Sequence, residues 1–195
     1  MKVISVLGSP RKEGTSSRIA QAFTDTMKKK GVEVERFYLN RMTYKGCQGC
    51  EKCHTKQDKC ILKDDLTPVL NAMRSSDVAV FSSPVYYGDT SGQFKSFIDR
   101  TWSQVAVDYE NENPYTSRLP EGKTAVFILT QGDVEAKHED VIERYRFFFE
   151  LYGYDLKVIR ATSLMTGRPD ENVSTAQDEA AKLAETLLVA NNEES

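Results

Sequence analysis

The sequence predicts a single α/β domain built on a doubly wound, five-stranded parallel sheet with helices on both faces. Short apolar, β-branched runs alternate with amphipathic helical patterns along the whole chain. This alternation is typical of parallel strands joined by right-handed helical crossovers. The length of 195 residues fits one domain. We expect the sheet order 2-1-3-4-5, with residues 1–190 as the domain and 191–195 as a polar tail.

Five apolar runs predict the strands. They are Lys2–Leu7, Val32–Tyr38, Val78–Ser82, Thr124–Leu129 and Leu156–Leu164. The third run enters Ser83-Pro84, and because proline cannot donate to a ladder, we expect this strand to end there.

Helical periodicity predicts the connections between the strands. The helices begin near Ser16, Leu66, Ser91, Val141 and Ser174. Ser174 and Gln177 match a capping box, and this last helix is expected to run to about Val189. Residues 106–123 are polar and predict a long surface loop. Trp102 falls on an inward helical face and is expected in the core, whereas His54 and His138 are expected on the surface.

Charge and composition narrow the possible partners. The formal net charge is −3, which does not favour nucleic acid or an anionic membrane. The first apolar stretch, MKVISVLGSP, is too short for a signal sequence or a spanning helix, so a cytoplasmic location is expected.

The segment after the first strand has the composition of an anion site. It reads GSPRKEGTSS and leads directly into a helix. Small residues let the backbone approach a ligand, and the amides of the helix start point toward it. The alternative is a Gly/Ser-rich turn with an ordinary helix cap. The expected phosphate-binding residues are Ser9, Arg11, Gly14, Thr15, Ser16 and Ser17.

Two further strand ends carry residues suited to a flat ring. After the third strand, an aromatic and glycine-containing turn offers a planar apolar wall. Its residues are Pro84, Val85, Tyr86, Tyr87 and Gly88. After the fourth strand, Thr130, Gln131 and Gly132 form a polar turn that could donate to the edge of a heterocycle. A phosphate cradle, an aromatic wall and a polar turn together predict FMN. The first loop lacks the G-x-G-x-x-G fingerprint, which argues against a dinucleotide domain.

All four cysteines are concentrated in one short segment. Cys47, Cys50, Cys53 and Cys60 have the spacing C-x2-C-x2-C-x6-C. In a reducing compartment such a cluster indicates metal or redox chemistry rather than disulfides. Three readings stay open: a [4Fe–4S] cluster held by all four thiolates, plain or redox-active thiols, and zinc.

These motifs resemble a known family. Gly8-Ser9-Pro10-Arg11, Pro84-Val85-Tyr86-Tyr87-Gly88 and the later KSFIDR stretch are similar to flavodoxin-like NAD(P)H-dependent FMN reductases. That family usually has Gly-Asn-Thr where this chain has Gly14-Thr15-Ser16, a change that keeps small hydrogen-bonding side chains. The cysteine spacing resembles the iron–sulfur flavoprotein branch.

The resemblance implies FMN at the strand ends and a homodimer or higher oligomer. The flavin would carry the redox chemistry, without a catalytic triad. NAD(P)H would reduce it and a quinone, a flavin or a similar acceptor would oxidise it. Alternatively, ferredoxin would supply electrons through a cluster, or the protein would be a non-catalytic FMN sensor.

Overall fold

The computed structural model describes residues 1–164 and 171–193 of the chain. The elements, in chain order, are β1 (Lys2–Leu7), α1 (Thr15–Lys29), β2 (Glu33–Tyr38), α2 (Lys52–Thr55), α3 (Leu66–Ser75), β3 (Val78–Tyr86), β4 (Asp89–Thr90), α4 (Gly92–Thr101), β5 (Val105–Val107), β6 (Tyr115–Ser117), β7 (Lys123–Thr130), α5 (Glu139–Leu151), β8 (Tyr154–Ala161) and α6 (Glu171–Glu193).

The central sheet has five parallel strands in the order β2-β1-β3-β7-β8. This is the predicted 2-1-3-4-5 arrangement, which is therefore confirmed. Strands β1, β3 and β7 are buried almost throughout, because helices cover both faces of the sheet. The point where the strand order reverses lies between β1 and β3, and ligands bind in the crevice outside this edge in doubly wound folds.

Two apolar cores pack on opposite faces of the sheet. On one face, α1 and α6 cover a core that includes Phe23 and Ile128. On the other face, α3, α4 and α5 cover an aromatic core centred on Phe81. The Phe81 ring lies 5.0 Å from that of Phe149 on α5 and 6.4 Å from that of Phe94 on α4. These contacts hold α4 and α5 side by side, and both helices border the candidate site.

The third strand does not end at Pro84 as predicted. It continues to Tyr86, with Pro84 opposite Thr130 of β7 and Val85 opposite Thr90 of β4. Strand β1 ends opposite Ser82. Beyond that residue, β3 has a parallel neighbour only on the side of β7, and the side that faced β1 is an edge. Proline is tolerated at such an edge because no ladder bond is lost there.

Several predicted boundaries are also wrong. Residues 106–123 contain a small antiparallel hairpin, β5–β6, within the expected loop. Strand β8 begins and ends earlier than predicted. Helix α6 already begins at Glu171, so Ser174 lies inside it and cannot cap it. The helix continues to Glu193 into the expected tail, of which residues 194–195 lie outside the described residues. Within residues 1–164 and 171–193, no helix is long and apolar enough to cross a membrane.

Candidate functional site

The three predicted strand ends meet at one edge of the sheet. The Gly8 amide donates to the Ser82 carbonyl over 2.8 Å, which joins the first loop to β3. The hydroxyl of Ser91, at the start of α4, donates to the Gly8 carbonyl over 2.6 Å. A Cβ at Gly8 would lie 2.7 Å from the Cβ of Phe94, so only glycine allows this close approach. Pairing of Pro84 with Thr130 places the aromatic turn beside the 130–132 turn.

The first loop forms a cradle at the start of α1. The Arg11 amide donates to Ser9 Oγ over 3.2 Å, and the Ser17 hydroxyl donates to the Arg11 carbonyl over 3.3 Å. A Cβ at Gly14 would lie 2.4 Å from Ser9 Oγ, so glycine keeps the cradle open. No side chain caps α1, and its first turn contains no acidic residue. The helix start is therefore available to an anion.

Ser16 supplies a donor that the folded chain does not use. Its side chain is 1% exposed, and its Oγ finds no hydrogen-bond partner in the part of the chain that the structure describes. Buried hydroxyl groups are normally hydrogen-bonded, because leaving one without a partner costs about 1–3 kcal/mol. An orphaned hydroxyl at an uncapped helix start fits a phosphate group. The cradle thus meets the chemical requirements of the predicted FMN phosphate.

The aromatic turn projects from the sheet edge into solvent. Tyr86 is half-exposed and Tyr87 is completely exposed. Tyr87 has φ of 55° and Gly88 has φ of 77°, and a left-handed conformation is unfavourable for tyrosine. Strain of this kind concentrates at ligand-binding positions.

Hydrogen bonds and an ion pair between β4 and α5 hold this turn in place. The hydroxyl groups of Tyr145 and Thr90 are 2.6 Å apart, and Tyr145 also donates to Asp89 Oδ1 over 3.1 Å. Arg144 pairs with Asp89 over 3.5 Å. Burial raises the pKa of Tyr145, so its hydroxyl keeps its proton and can act as this donor.

The polar turn after β7 is held by its own side chain. Gln131 Nε2 donates to the carbonyls of Val134 and Lys137 over 2.8 and 2.9 Å. Arg160 donates to Gln131 Oε1 over 3.1 Å. The Gln131 side chain therefore organises residues 132–137, and the backbone of this turn, with exposed Gly132, is what faces outward.

All four cysteines line one small cavity, called the cysteine pocket, together with Leu62, Arg100 and Trp102. Cys47 and Cys50 are exposed, whereas Cys53 and Cys60 are half-buried. Burial raises the pKa of Cys53. Within the described residues, no three Cys, His, Asp or Glu side chains are arranged so that they could hold a metal ion. Four thiols around one cavity are the ligands that an iron–sulfur cluster requires. In the described structure these thiols do not yet converge on a single point where a metal could bind.

Two expectations near this pocket were wrong. The His54 side chain is 7% exposed rather than on the surface, and its ring lies edge-on to Trp102 at 5.2 Å. Trp102 lies in a short 3-10 turn after α4 and is only half-buried: it packs against the edge of the core and also forms part of the pocket wall. The cysteine segment folds back onto α4, a long-range contact that helical periodicity does not report.

Arg100 and Tyr145 are site residues that the sequence analysis missed as functional side chains. Arg100 is completely buried beside Cys60, and Tyr145 supports the aromatic turn. The available signal for Arg100 was its position three residues after the inward-facing Phe97. A charged residue on such a face indicates a buried partner.

A groove of 530 Å³ joins the two parts of the site. It lies between α4 and α5 and extends from Cys47 and Trp102 of the cysteine pocket to Asp89 beneath the aromatic turn. Lys95 and Arg144 lie in its walls, and each pairs with an aspartate of the same groove. Its size is that of a typical small-molecule site.

Residues 1–158 match the family model described as NADPH-dependent FMN reductase. The chain belongs to this family. An iron–sulfur flavoprotein of Methanocaldococcus jannaschii is 32% identical over 149 residues, which cover 76% of this chain and 71% of that protein. The chain therefore falls in the iron–sulfur flavoprotein branch. An iron–sulfur flavoprotein of Archaeoglobus fulgidus is 36% identical over 100 residues, or 51% of this chain, but the chain spans only 45% of that relative's length.

Solved structures with low sequence identity share the flavodoxin-like fold. An FMN-dependent NADH-azoreductase from Bacillus anthracis, in complex with FMN, superposes with a TM-score of 0.76 at 16% identity, covering 95% of this chain and 98% of that one. An NAD(P)H:quinone oxidoreductase from Methanothermobacter marburgensis gives 0.76 at 19% identity, covering 96% and 98%. Family membership supports an FMN-dependent oxidoreductase as the general class of this protein.

Proposed function

We propose that this protein is an FMN-dependent oxidoreductase that holds FMN at the carboxyl ends of β1, β3 and β7. The observation that carries the proposal is the buried, partnerless hydroxyl of Ser16 at the uncapped start of α1. When bound, FMN supplies the ability to exchange either one or two electrons.

The chain's own residues bind and orient the cofactor. The Ser9 and Ser16 hydroxyls and the first amides of α1 bind the phosphate, and exposed Arg11 adds positive charge. Ser17 holds the shape of the cradle, because its hydroxyl donates to the Arg11 carbonyl. Tyr86 and Tyr87 provide an apolar surface for the ring, with the turn held in place by Tyr145. The 130–132 turn presents backbone groups to the other side of the ring. No side chain is required to transfer a proton in this arrangement.

NAD(P)H is the proposed donor, and a quinone, a flavin or a similar flat molecule is the proposed acceptor. The family description supports the donor. The groove between α4 and α5 supports an acceptor of small-molecule size, because it begins beneath the aromatic turn. We also propose that the chain forms a homodimer, which the exposed Phe147 and Phe148 on α5 support.

Steady-state turnover tests this proposal. FMN-loaded protein is mixed with NADH or NADPH and a quinone or free FMN, and nicotinamide oxidation is followed at 340 nm by absorbance. Turnover with either nucleotide supports the reductase. Stoichiometric FMN binding without turnover by either nucleotide would contradict the NAD(P)H reductase and leave a ferredoxin-dependent protein or a sensor. Failure to bind FMN would refute the site itself.

A second candidate is electron transfer through a [4Fe–4S] cluster in the cysteine pocket, with ferredoxin as the donor. It is favoured by the convergence of all four cysteines on one cavity and by the iron–sulfur flavoproteins among the relatives. Cys47, Cys50, Cys53 and Cys60 would be the ligands, and the cluster would supply one-electron transfer.

Iron and acid-labile sulfide per FMN, measured on protein purified without oxygen, separate the two candidates. About four of each per flavin, lost in Cys60→Ser, would establish the cluster. A matched Ser103→Ala variant, which changes a non-cysteine residue of the same pocket, should keep them. Absence of iron and sulfide from protein that still contains FMN would leave thiols and favour the NAD(P)H reductase.

A further inference from the structure

The cysteine segment, residues 45–64, is attached to α4 through one arginine. Arg100 lies in the last turn of α4, and its side chain is completely buried. A buried guanidinium is costly unless every donor is satisfied. The contacts that satisfy it therefore indicate what this residue does.

Arg100 contacts both flanks of the segment. On the side before Cys47, Nη1 donates to the Lys45 carbonyl over 2.7 Å. On the side after the last cysteine, Nη2 donates to the Leu62 carbonyl over 3.3 Å. The planar guanidinium thus joins two backbone segments, one before the first cysteine and one after the last. A single ammonium group cannot reproduce this geometry.

The same guanidinium contacts a cysteine directly. Arg100 Nε donates to Cys60 Sγ over 3.1 Å. Because Nε belongs to the same rigid plane as Nη1 and Nη2, and both of these are held by other acceptors, this contact fixes the direction of the Cys60 thiol. The thiol is one of the four that line the pocket.

Asp64 completes the arrangement. Its two carboxylate oxygens accept from Arg100 Nη1 and Nη2 over 2.8 and 3.2 Å. They also accept from the amides of Lys45 and Leu66 over 3.3 and 3.2 Å. Burial opposes ionisation of Asp64, but these hydrogen bonds outweigh it and its pKa lies below the usual value. The Arg100–Asp64 ion pair therefore holds the two ends of the cysteine segment together.

The N-terminal end of α4 contacts the phosphate cradle. Ser91 donates to Gly8 of the cradle, and Gln93 accepts from the Tyr44 hydroxyl over 2.7 Å. One helix of ten residues thus contacts both the cradle and the cysteine segment.

We infer that Arg100 is a positioning residue of the cysteine pocket: it holds both flanks of the cysteine segment on α4 and directs the Cys60 thiol into the cavity. The group that occupies the pocket rests on the proposed function, but the positioning itself does not. Arg100 acts through Cys60 and Asp64 and takes no part in binding FMN.

Site-resolved hydrogen exchange of FMN-loaded protein tests the inference. The reporters are the amides of Lys45 and Leu66, which donate to Asp64. In Arg100→Lys, loss of the planar guanidinium should speed their exchange about tenfold or more, since hydrogen bonds to charged groups are the stronger ones. Arg100→Met should give a larger increase, so that lysine restores part of the protection. The Gly8 amide and the affinity for FMN should not change.

Arg36→Lys is the matched control. Arg36 also donates through Nε, to Thr24 Oγ1 over 3.0 Å, but it connects β2 to α1 away from the cysteine segment. It should leave the exchange of both reporters unchanged. If the methionine variant does not fold, Arg100→Gln provides the second test, because it keeps a polar side chain without the planar guanidinium and leaves Asp64, the acceptor of the reporter amides, in place; it should also speed Lys45 exchange.

A second readout concerns the pocket itself. If wild-type protein contains iron and sulfide, Arg100→Lys should lose at least half of both per FMN, whereas Arg36→Lys should keep them. Unchanged exchange at Lys45 and Leu66 in the lysine variant overturns the inference, and so does an equal increase at all amides, which would show a general loss of stability. Wild-type protein without iron removes the cluster candidate, while local exchange limited to the segment still supports Arg100. If wild-type protein does not bind FMN, the proposed function alone fails, and the same exchange comparison is made on the protein without FMN, because the reporter contacts do not involve the cofactor.

Discussion

The hydroxyl of Ser16 should have opposite effects on the empty and the FMN-bound protein. In the protein without ligand it is buried and without a partner among the described residues, a state that costs about 1–3 kcal/mol. Ser16→Ala removes this cost and leaves only a small cavity. The apo protein should therefore be as stable as wild type, or more stable by up to about 2 kcal/mol.

FMN binding should change in the other direction. A hydrogen bond to a charged phosphate contributes about 1.5–3 kcal/mol, so Ser16→Ala should weaken FMN binding roughly 10- to 150-fold. Riboflavin lacks the phosphate, and its affinity should change less than twofold. Flavin fluorescence titration gives both affinities, and urea unfolding of the apo protein gives the stability.

Ser5→Ala is the control for this experiment. Ser5 is also buried and its hydroxyl is likewise without a partner in the described part of the chain, but it lies in the middle of β1. Its removal should affect apo stability as Ser16→Ala does and leave FMN affinity unchanged. Equal FMN affinity in Ser16→Ala and wild-type protein would falsify the phosphate cradle.

Three further outcomes follow from the structure. Tyr87→Gly should not lower the stability of the apo protein in urea, because the left-handed backbone costs a tyrosine about 1–2 kcal/mol and suits glycine. Its FMN affinity should nevertheless fall about two- to tenfold, because the aromatic ring is lost, and lower stability with unchanged affinity would contradict this. Burial raises the pKa of Tyr152 to about 12, so the folded state retains a proton that the unfolded chain loses from pH 10, and this residue alone should lower stability by about 2.7 kcal/mol between the two values. In alkaline unfolding titrations Tyr152→Phe should reduce the slope by one proton, and an unchanged slope would refute the assignment. Asp89→Ala should leave the fold intact but weaken FMN binding severalfold by releasing Tyr145 and the aromatic turn, whereas Asp155→Ala, on the exposed side of β8, should not.

Local pattern was sufficient to predict the sheet, and it also led to the prediction of the cradle. Apolar runs such as Lys2–Leu7 can be satisfied only by burial on both faces, and that requirement, with helices between them, defines a parallel sheet. The residues after β1 were assigned to a phosphate because small side chains let the backbone approach a ligand and the amides of the helix start point toward it. The structure then placed Ser16 with an orphaned hydroxyl at that position.

The ends of strands and helices depend on contacts with residues that are distant in the sequence. Pro84 forbids ladder pairing only where a partner strand requires its amide, and β1 has already ended at that level of the sheet. Ser174 resembles a cap in sequence, yet α6 starts earlier, at Glu171, and continues past it. Both errors arose because a local signal was read without the element that packs against it.

The sequence by itself determined the strand order, the position of the cradle and the presence of four thiols in one segment. The cradle and the thiols depend on residues adjacent in the chain, and the strand order was expected because alternating buried strands and helices are typical of a doubly wound sheet. Only the tertiary structure decided that Arg100 meets Cys60 and Asp64, that His54 is buried against Trp102, and that Tyr145 supports the aromatic turn. These contacts join residues far apart in sequence, and their energies arise from burial and charge pairing that exist only once α4, α5 and the cysteine segment are packed together.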